Sequence, residues 1–400
     1  MLPFSERAIE LTDRQRRVRE AVGSICGDFD REYWRERDAA GEYPHAFVDA
    51  LAEAGWLGVL IPETYGGKGL DTPEAVVMME TIAASGAGFS GAQTVHAAVY
   101  NSSPLVAYGS DEMKEALLSR VADGDAWIQC FSLTEPKAGS ESTAIGTRAR
   151  REGDEYVIDG EKLWTSRIDV SDYAVLAART TPKDEVEKKT EGISLFLVDL
   201  EAAFDAGSIE LEKIEKTASN VVSSFRVEYD GLRLPASALI GEEDGGFYHV
   251  LDGLNEERLV IAAECTGLGE LAIERGAAYA ADREVFGRPI GKNQAIQHPL
   301  SAAYARVQAA RQLVYAAAAR TDDDPKAIGA WANLAKYLAS EACFEAADAA
   351  VQTHGGRGVA REYDAERYFR EARLTRLVPI TQELALNYVG ENVLDLPRSF

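Results

Sequence analysis

Cysteine and histidine are scarce in this 400-residue chain, four and five residues respectively. Cys26, Cys130, Cys265 and Cys343 are widely scattered with no C-x-x-C pair, which argues against both a zinc knuckle and a disulfide framework. Four reduced thiols are expected. His45, His96, His249, His298 and His354 show no H-E-x-x-H spacing, so each is expected to pack or to lie in a loop, and no metal is predicted. No window approaches ~18 uninterrupted apolar residues, which excludes a membrane-spanning helix. Residues 1–17 mix Glu, Arg and Asp without the apolar segment of a signal peptide, so a soluble, cytoplasmic protein is expected. Positive charge is also in deficit: 42 Lys and Arg face 66 Asp and Glu, a net −24. Such a chain lacks the basic face that nucleic-acid phosphates require.

What is present is apolar content, 46%, enough for a large core and more than one core usually serves, so two or three domains are expected. The predicted architecture is mainly α with a central β-domain: an N-terminal helical domain over 1–126, a middle antiparallel β-barrel over 127–240, and a C-terminal four-helix bundle over 241–400. In the first part Phe47, Leu51, Ala54 and Gly55, and then Val76, Met79, Glu80 and Ala83, recur at helical spacing on either side of a Pro and Gly loop. The middle part changes to short β-branched and aromatic runs, with Asp159-Gly160 and Asp230-Gly231 as expected hairpin turns and 183–191 as a charged loop. In the last part Asp324-Pro325 opens, and Gly355-Gly356 closes, a helix expected over 326–353. No internal repeat is found.

Chemistry-bearing residues concentrate in three places. The string Phe131-Ser-Leu-Thr-Glu-Pro-Lys-Ala-Gly-Ser140 flanks a turn with two hydroxyls, Thr134 and Ser140, whose backbone N–H groups could bind a planar acceptor-rich ring or a phosphate. Gly160-Glu-Lys-Leu-Trp-Thr-Ser166 places an indole beside two hydroxyls, which fits either an aromatic ligand stacked on Trp164 or a capped hairpin with a core tryptophan. The stretch 255–294 begins with Asn255, Glu256, Glu257 and Arg258. It ends in a cationic, Gly-containing turn with Arg283 and Phe286, followed by Gln294. Read locally, Asn255 is a helix N-cap with two carboxylates in the first turn; the alternative is a proton acceptor and an anion site on one helix.

Taken in order, these strings resemble the acyl-CoA dehydrogenase family of flavoenzymes. The resemblance is carried by Leu60-Ile-Pro-Glu with Tyr65-Gly-Gly, 133–140, 160–166, Leu234-Pro235, 283–294, 352–356 and Glu366-Arg-Tyr-Phe-Arg-Glu-Ala-Arg373, and spans nearly the whole chain. It implies FAD as cofactor, lined by Phe131, Leu133, Thr134 and Ser140, with Trp164 and Ser166 against its ring and Thr381 also in contact. Arg283, Phe286, Gln294, Gln352, Gly355 and Gly356 correspond to a clamp on the FAD of a neighbouring subunit, which implies a homotetramer built as two dimers. An acyl-CoA substrate and an electron transfer flavoprotein as acceptor follow from the same likeness.

The family's usual glutamate motif near the carboxyl terminus is replaced here by Val378-Pro379-Ile380-Thr381, with Pro379 where the glutamate belongs. Branches resembling isovaleryl-CoA and long-chain dehydrogenases place the base directly before an arginine on the first helix of the third domain. By that likeness the base is Glu257, with Ser140, Asn255 and Arg258 at the substrate; Glu256, about 100° around the helix from it, is expected to face solvent. His96, Tyr100, Glu264 and Arg361 are expected to be structural, with a place at the border of the pocket as the alternative. Pro379 also lacks the N–H that would bind a thioester carbonyl. Alternatives are therefore an oxidase or monooxygenase on the same fold, or a flavin- or acyl-CoA-binding subunit without turnover.

Arginine outnumbers lysine 30 to 12, and a surface this acidic repels itself at low ionic strength. Adaptation to high salt is therefore expected. The melting temperature should rise between dilute buffer and molar KCl; a flat or falling response would refute the adaptation.

Overall fold

The computed structural model describes residues 2–320 and 324–399. Seven helices come first: α1 (Pro3–Ala8), α2 (Asp13–Gly27), α3 (Arg31–Ala40), α4 (His45–Glu53), α5 (Thr72–Ile82), α6 (Gly88–Tyr108) and α7 (Asp111–Ala122). Strands β1 (Cys130–Ser132), β2 (Arg148–Glu152), β3 (Glu155–Ser166), β4 (Tyr173–Arg179) and β5 (Ile193–Asp199) follow, then a short helix α8 (Leu200–Asp205). Next come β6 (Ile209–Lys213), β7 (Ser224–Pro235) and β8 (Leu239–Ile240). The chain ends with α9 (Gly246–Asp282), a small hairpin of β9 (Glu284–Val285) and β10 (Arg288–Pro289), α10 (Gln294–Ala318), α11 (Pro325–His354), α12 (Ala365–Thr375) and α13 (Gln382–Asn392).

The expected barrel is not formed. The strands pair in the order β6-β7-β3-β2-β4-β5-β8, with β1 also on β4, and the end strands β6 and β8 do not join. Strand β8 has only two residues before the chain turns at Gly241 (φ 76°) towards α9, too short an edge to close on β6. Nor is the sheet wholly antiparallel: β1 runs parallel to β4, and β2 touches the same edge of β4 in parallel at Arg148. Period-two alternation sorts the buried residues between two layers. On β4, Ala174, Leu176 and Ala178 enter a core with Tyr156, Phe196 and Tyr229, while Val175 and Ala177 meet Leu117, Leu118 and Val121 of α7.

Both expected hairpin turns lie instead inside long strands. Ile158 pairs with Leu232 and Gly160 with Tyr229, so Asp159 on β3 stands opposite Asp230-Gly231 on β7 in a bulge, where the Gly231 N–H donates to the Asp159 carboxylate at 2.8 Å. An Asp-Gly pair supplies the same positive-φ backbone to a bulge as to a turn, and the apolar residues on either side decide which forms.

Helix α9, 37 residues and roughly 56 Å long, starts well before the expected cap at Asn255. Phe247 and Leu254, with Val250 between them, already carry helical periodicity into an apolar cluster, and the Asn255 carboxamide is engaged by Arg258 rather than by the backbone. Helices α5, α6, α10, α11 and α12 all pack on α9. Small residues permit this: a Cβ on Gly267 would lie 2.5 Å from the Glu80 carbonyl, and one on Gly269 2.9 Å from Val307. Helix α11 runs one residue beyond the expected span at each end, capped by Asp324 and stopped at Gly355.

Glu80 repeats with the apolar residues of α5 and is indeed buried, at the junction of α2, α5, α9 and α10. Arg311 donates to both its oxygens at 2.6 and 2.9 Å, and Tyr315, Thr266 and Arg19 complete the shell. Burial alone would raise the Glu80 pKa, but Arg311 overrides it and holds the carboxyl below its ordinary 4.5. This stabilisation is complete above pH 4.5 and is lost as pH falls through the lower folded value. Arg311→Met, which strands the carboxylate, should destabilise the fold by about 3–5 kcal/mol in urea titrations at pH 7. The deficit should shrink below pH 4; an equal deficit at both pH values would contradict the pairing.

Candidate functional site

The site is assembled where α6 and the first half of α9 meet β1 and β3. Glu257 on α9 is 8% exposed, and its Oε1 lies 3.7 Å from Nε2 of His96 on α6. One turn further along α6, Tyr100 packs edge-on against His96 with ring centroids 4.9 Å apart, and Phe131 of β1 meets Tyr100 at 6.4 Å. Beside Glu257, half-buried Arg258 donates to Asn255 Oδ1 at 2.8 Å. Its Nε has no protein partner, and burial lowers its pKa against the pull of Glu257. A carboxylate, a guanidinium with a spare donor and an aromatic wall therefore converge from three elements.

The loop after β1 is rigid for a reason that the sequence reading missed. The Glu135 carboxylate accepts from Gly146 and Thr147 N–H at 2.6 and 2.9 Å and from buried Lys162 at 2.9 Å, and the same ammonium donates to the Leu133 carbonyl. Burial opposes ionisation of Glu135, but Lys162 and the backbone donors hold its pKa down. Leu163 N–H donates to the Thr134 carbonyl at 2.7 Å, pinning the loop to β3. Thr134 is half-buried and Ser140 exposed.

Between Lys162 and Thr165 a second bulge interrupts the pairing of β3 with β7 and throws Trp164 outward at φ 61° and 53% exposure. The reading of Trp164 as a core residue is thereby excluded. A bulky residue held left-handed and outward is an outlier that a ligand face would explain. Ser166 bonds Ser224 at 2.8 Å, and Thr165 bonds Ser132, next to Phe131, at 3.0 Å.

The other residues singled out in the sequence lie elsewhere. Arg283, Phe286, Gln294, Gln352, Gly355 and Gly356 are all exposed, on the β9–β10 hairpin, at the start of α10 and at the end of α11. Phe286 is 100% exposed at φ 53°, and His354 stacks on Tyr279 at 4.2 Å to tie the ends of α11 and α9 together. Roughly 39 Å of α9 separates Glu257 from Arg283, so the two groups cannot serve one compact site in a single chain. Thr381 caps α13, accepting from Leu384 N–H at 3.3 Å, and the preceding Ile380 carbonyl accepts from buried Lys336 at 2.7 Å.

One expectation needs correction. Glu256 is not turned to solvent: it is half-buried and accepts from Ser103 at 2.8 Å, and burial raises its pKa. His96 lies against both Glu257 and Glu264. The i, i+7 spacing of Glu257 and Glu264 was a legible signal once the helix was known; the approach of His96 from another helix was not. A cavity of about 660 Å³ lies between α7, α8 and β7 and holds none of these groups. Among the described residues no group of three or more His, Cys, Asp or Glu could hold a metal ion, and no helix is long and apolar enough to cross a membrane.

Comparison with known proteins gives matches to the N-terminal, middle and C-terminal acyl-CoA dehydrogenase domains over residues 12–125, 130–230 and 244–394. The chain is similar to acyl-CoA dehydrogenase FadE12 of Mycobacterium tuberculosis, 36% identical with 98% of each chain covered. It is also similar to the caffeyl-CoA reductase-Etf complex subunit CarC of Acetobacterium woodii, 32% identical with 87% and 89% covered. Butyryl-CoA dehydrogenase from Megasphaera elsdenii has a similar structure, with TM-score 0.89, 26% identity, and 96% of this chain and 99% of that one covered.

Lys162 and Trp164 should separate the scaffold from the ligand face. Lys162→Met leaves a buried carboxylate short of its cation and should lower unfolding stability by about 3–5 kcal/mol. Trp164→Ala should change stability by no more than about 0.5 kcal/mol while weakening flavin binding. A large stability loss in the Trp164 variant would restore the core reading.

Proposed function

The chain belongs to the acyl-CoA dehydrogenase family, and from that premise we propose that it desaturates an acyl-CoA thioester between Cα and Cβ, with Glu257 as the base. The observation that carries this reading is the nearly buried Glu257 carboxylate, set beside Arg258 and the Tyr100–Phe131 wall in a chain whose usual base position is Pro379. FAD is the implied cofactor. The outward Trp164, the pinned 133–140 loop and the open glycines at 139, 355 and 356, where an added Cβ would meet nothing within 4 Å, all fit a large planar anion. FAD, when bound, supplies the acceptor for the hydride that leaves Cβ.

The protein's own residues do the rest. Phe131, Leu133, Thr134 and Ser140 hold the ring region with Trp164 and Ser166, and Glu257 takes the α-proton. Arg258 and Asn255 orient the thioester. The roughly 39 Å of helix between Glu257 and Arg283 supports a homo-oligomer, and a tetramer of paired dimers lets Arg283, Phe286, Gln294, Gln352, Gly355 and Gly356 of one subunit serve another's cofactor. Fully exposed Phe286 is consistent with a hairpin that inserts into a neighbour. Three units, 1–126, 127–240 and 241–400, and an electron transfer flavoprotein as acceptor complete the reading. The similarity to the A. woodii caffeyl-CoA reductase-Etf complex subunit supports such a partner.

Pro379 favours one competing reading, a ligand-binding subunit without turnover. Loss of an oxyanion donor typically removes about 2.7–4 kcal/mol of transition-state stabilisation. Anaerobic mixing of the FAD-loaded protein with straight, branched, aromatic and long acyl-CoA thioesters decides between the two. Bleaching of the oxidised flavin by one class supports dehydrogenation and identifies the substrate; binding without bleaching by any class supports the competitor. Glu257→Gln should retain FAD and slow flavin reduction by about 10²–10⁴-fold, and unchanged turnover would sink the assignment.

A further inference from the structure

Glu264 is 0% exposed, and a carboxylate in that position must be paired or hold a proton. Its two oxygens meet two groups of α6, accepting from Gln93 Nε2 at 2.8 Å and facing His96 Nδ1 at 2.7 Å. The carboxylate accepts, so Nδ1 carries the hydrogen, and Nε2 is left pointing at Glu257, 3.7 Å away. Glu257 and Glu264 are two turns apart on one face of α9, roughly 10 Å along the axis, and the imidazole bridges them. The bridge is itself fixed: His96 is 1% exposed, Tyr100 packs on its ring, and Arg167 donates to the Gln93 carbonyl at 2.8 Å.

Resting on the reading of Glu257 as the base, we propose that His96, held by Glu264, is the positioning residue that aims the Glu257 carboxylate at the substrate. The groups facing the imidazole are the two α9 carboxylates and, from its own helix, Tyr100. Around Tyr100 the charged and titratable neighbours are Glu257, Arg167 and Cys130 with Glu264. Burial alone would lower the His96 pKa, but Glu264 and Glu257 together push it up to about 9, so the imidazole is cationic at neutral pH. In that form Nε2 carries a hydrogen directed at the Glu257 carboxylate, 3.7 Å away, which fixes the direction in which that carboxylate faces. Apo separations at such sites are commonly longer than in the loaded complex, and 3.7 Å closes to a hydrogen bond by a small side-chain rotation.

Were the His96–Glu264 contact only a tie between α6 and α9, its loss would change the rate by one factor at every pH. The proposal requires a change in the shape of the profile. The experiment follows the limiting rate of anaerobic flavin reduction from pH 5.5 to 10 in the FAD-loaded protein, with the best acyl-CoA thioester. In the wild type the rate should fall as pH rises through about 9, where His96 loses the Nε2 hydrogen directed at Glu257. His96→Gln should lower the rate at neutral pH by about 10-fold or more and remove that alkaline limb. Glu264→Gln removes one of the two carboxylates that keep His96 charged, so the alkaline limb should move down from about 9. Glu257→Gln should slow flavin reduction by about 10²–10⁴-fold across the range. Undiminished turnover in Glu257→Gln would defeat the base assignment itself. A slowed Glu257→Gln beside an unshifted alkaline limb in the other two would overturn the role of His96 alone. If His96→Gln fails to fold or to retain FAD, the alkaline limb of Glu264→Gln decides.

Discussion

The close approach of helices to α9 is the constraint on which the molecule depends. A 37-residue helix can bury almost its whole circumference only if its neighbours come near, and Gly267, Gly269 and Gly276 remove the side chains that would hold α5, α10 and α11 away. Small residues alone would leave a smooth, poorly specified contact. Register is set by buried charge: Glu80 on α5 is gripped by Arg311 of α10 and Thr266 of α9, and Glu264 of α9 by two residues of α6. Moving any of these helices by one turn would strand a carboxylate in the core.

The arginine excess acquires a structural meaning from this arrangement. Arg367 is 2% exposed and donates to the Gly86 and Ala87 carbonyls and to Glu371, filling the irregular turn before α6 with one side chain. Arg179 similarly gathers the carbonyls of Thr143, Ile145 and Glu191. A lysine offers a compact point charge and could not span these separated acceptors in a fixed plane. An overall charge of −24 thus coexists with a core where buried carboxylates meet locally supplied donors. Net charge describes the surface; the interior is balanced pair by pair.

Periodicity made the helical first part, the strand-rich middle and the long α11 legible, because each has many residues voting for one repeat. Single dipeptides were less reliable. Asp159-Gly160 has the conformational freedom of a turn, but Tyr156 and Ile158 before it and Lys162 after it are all buried in one continuous strand, which only a bulge allows. Asn255 has the chemistry of a cap, yet the apolar residues ahead of it carry the helix further back. Glu257 was put forward through resemblance, and Trp164 was left open between core and ligand face until its outward backbone conformation excluded the core. Glu256 was misplaced because a 100° rotation was equated with exposure, whereas α6 lies on that side too. His96 could not be assigned its place because nothing local to α6 reports what faces it.

The segment at Pro379 follows the same logic. Where relatives carry a catalytic glutamate, this chain has a proline followed by a carbonyl that Lys336 binds from the buried face of α11 and a threonine whose hydroxyl caps α13. These bonds serve packing and leave no acid in the segment. On the proposed reading the base has moved to α9, a rigid helix, where its direction is set by backbone geometry rather than by a loop. A side chain on a helix still turns about its own bonds, and on the same reading the paired imidazole of His96 on α6 limits that turning, so relocation of the base and the presence of His96 beside it are two parts of one physical solution.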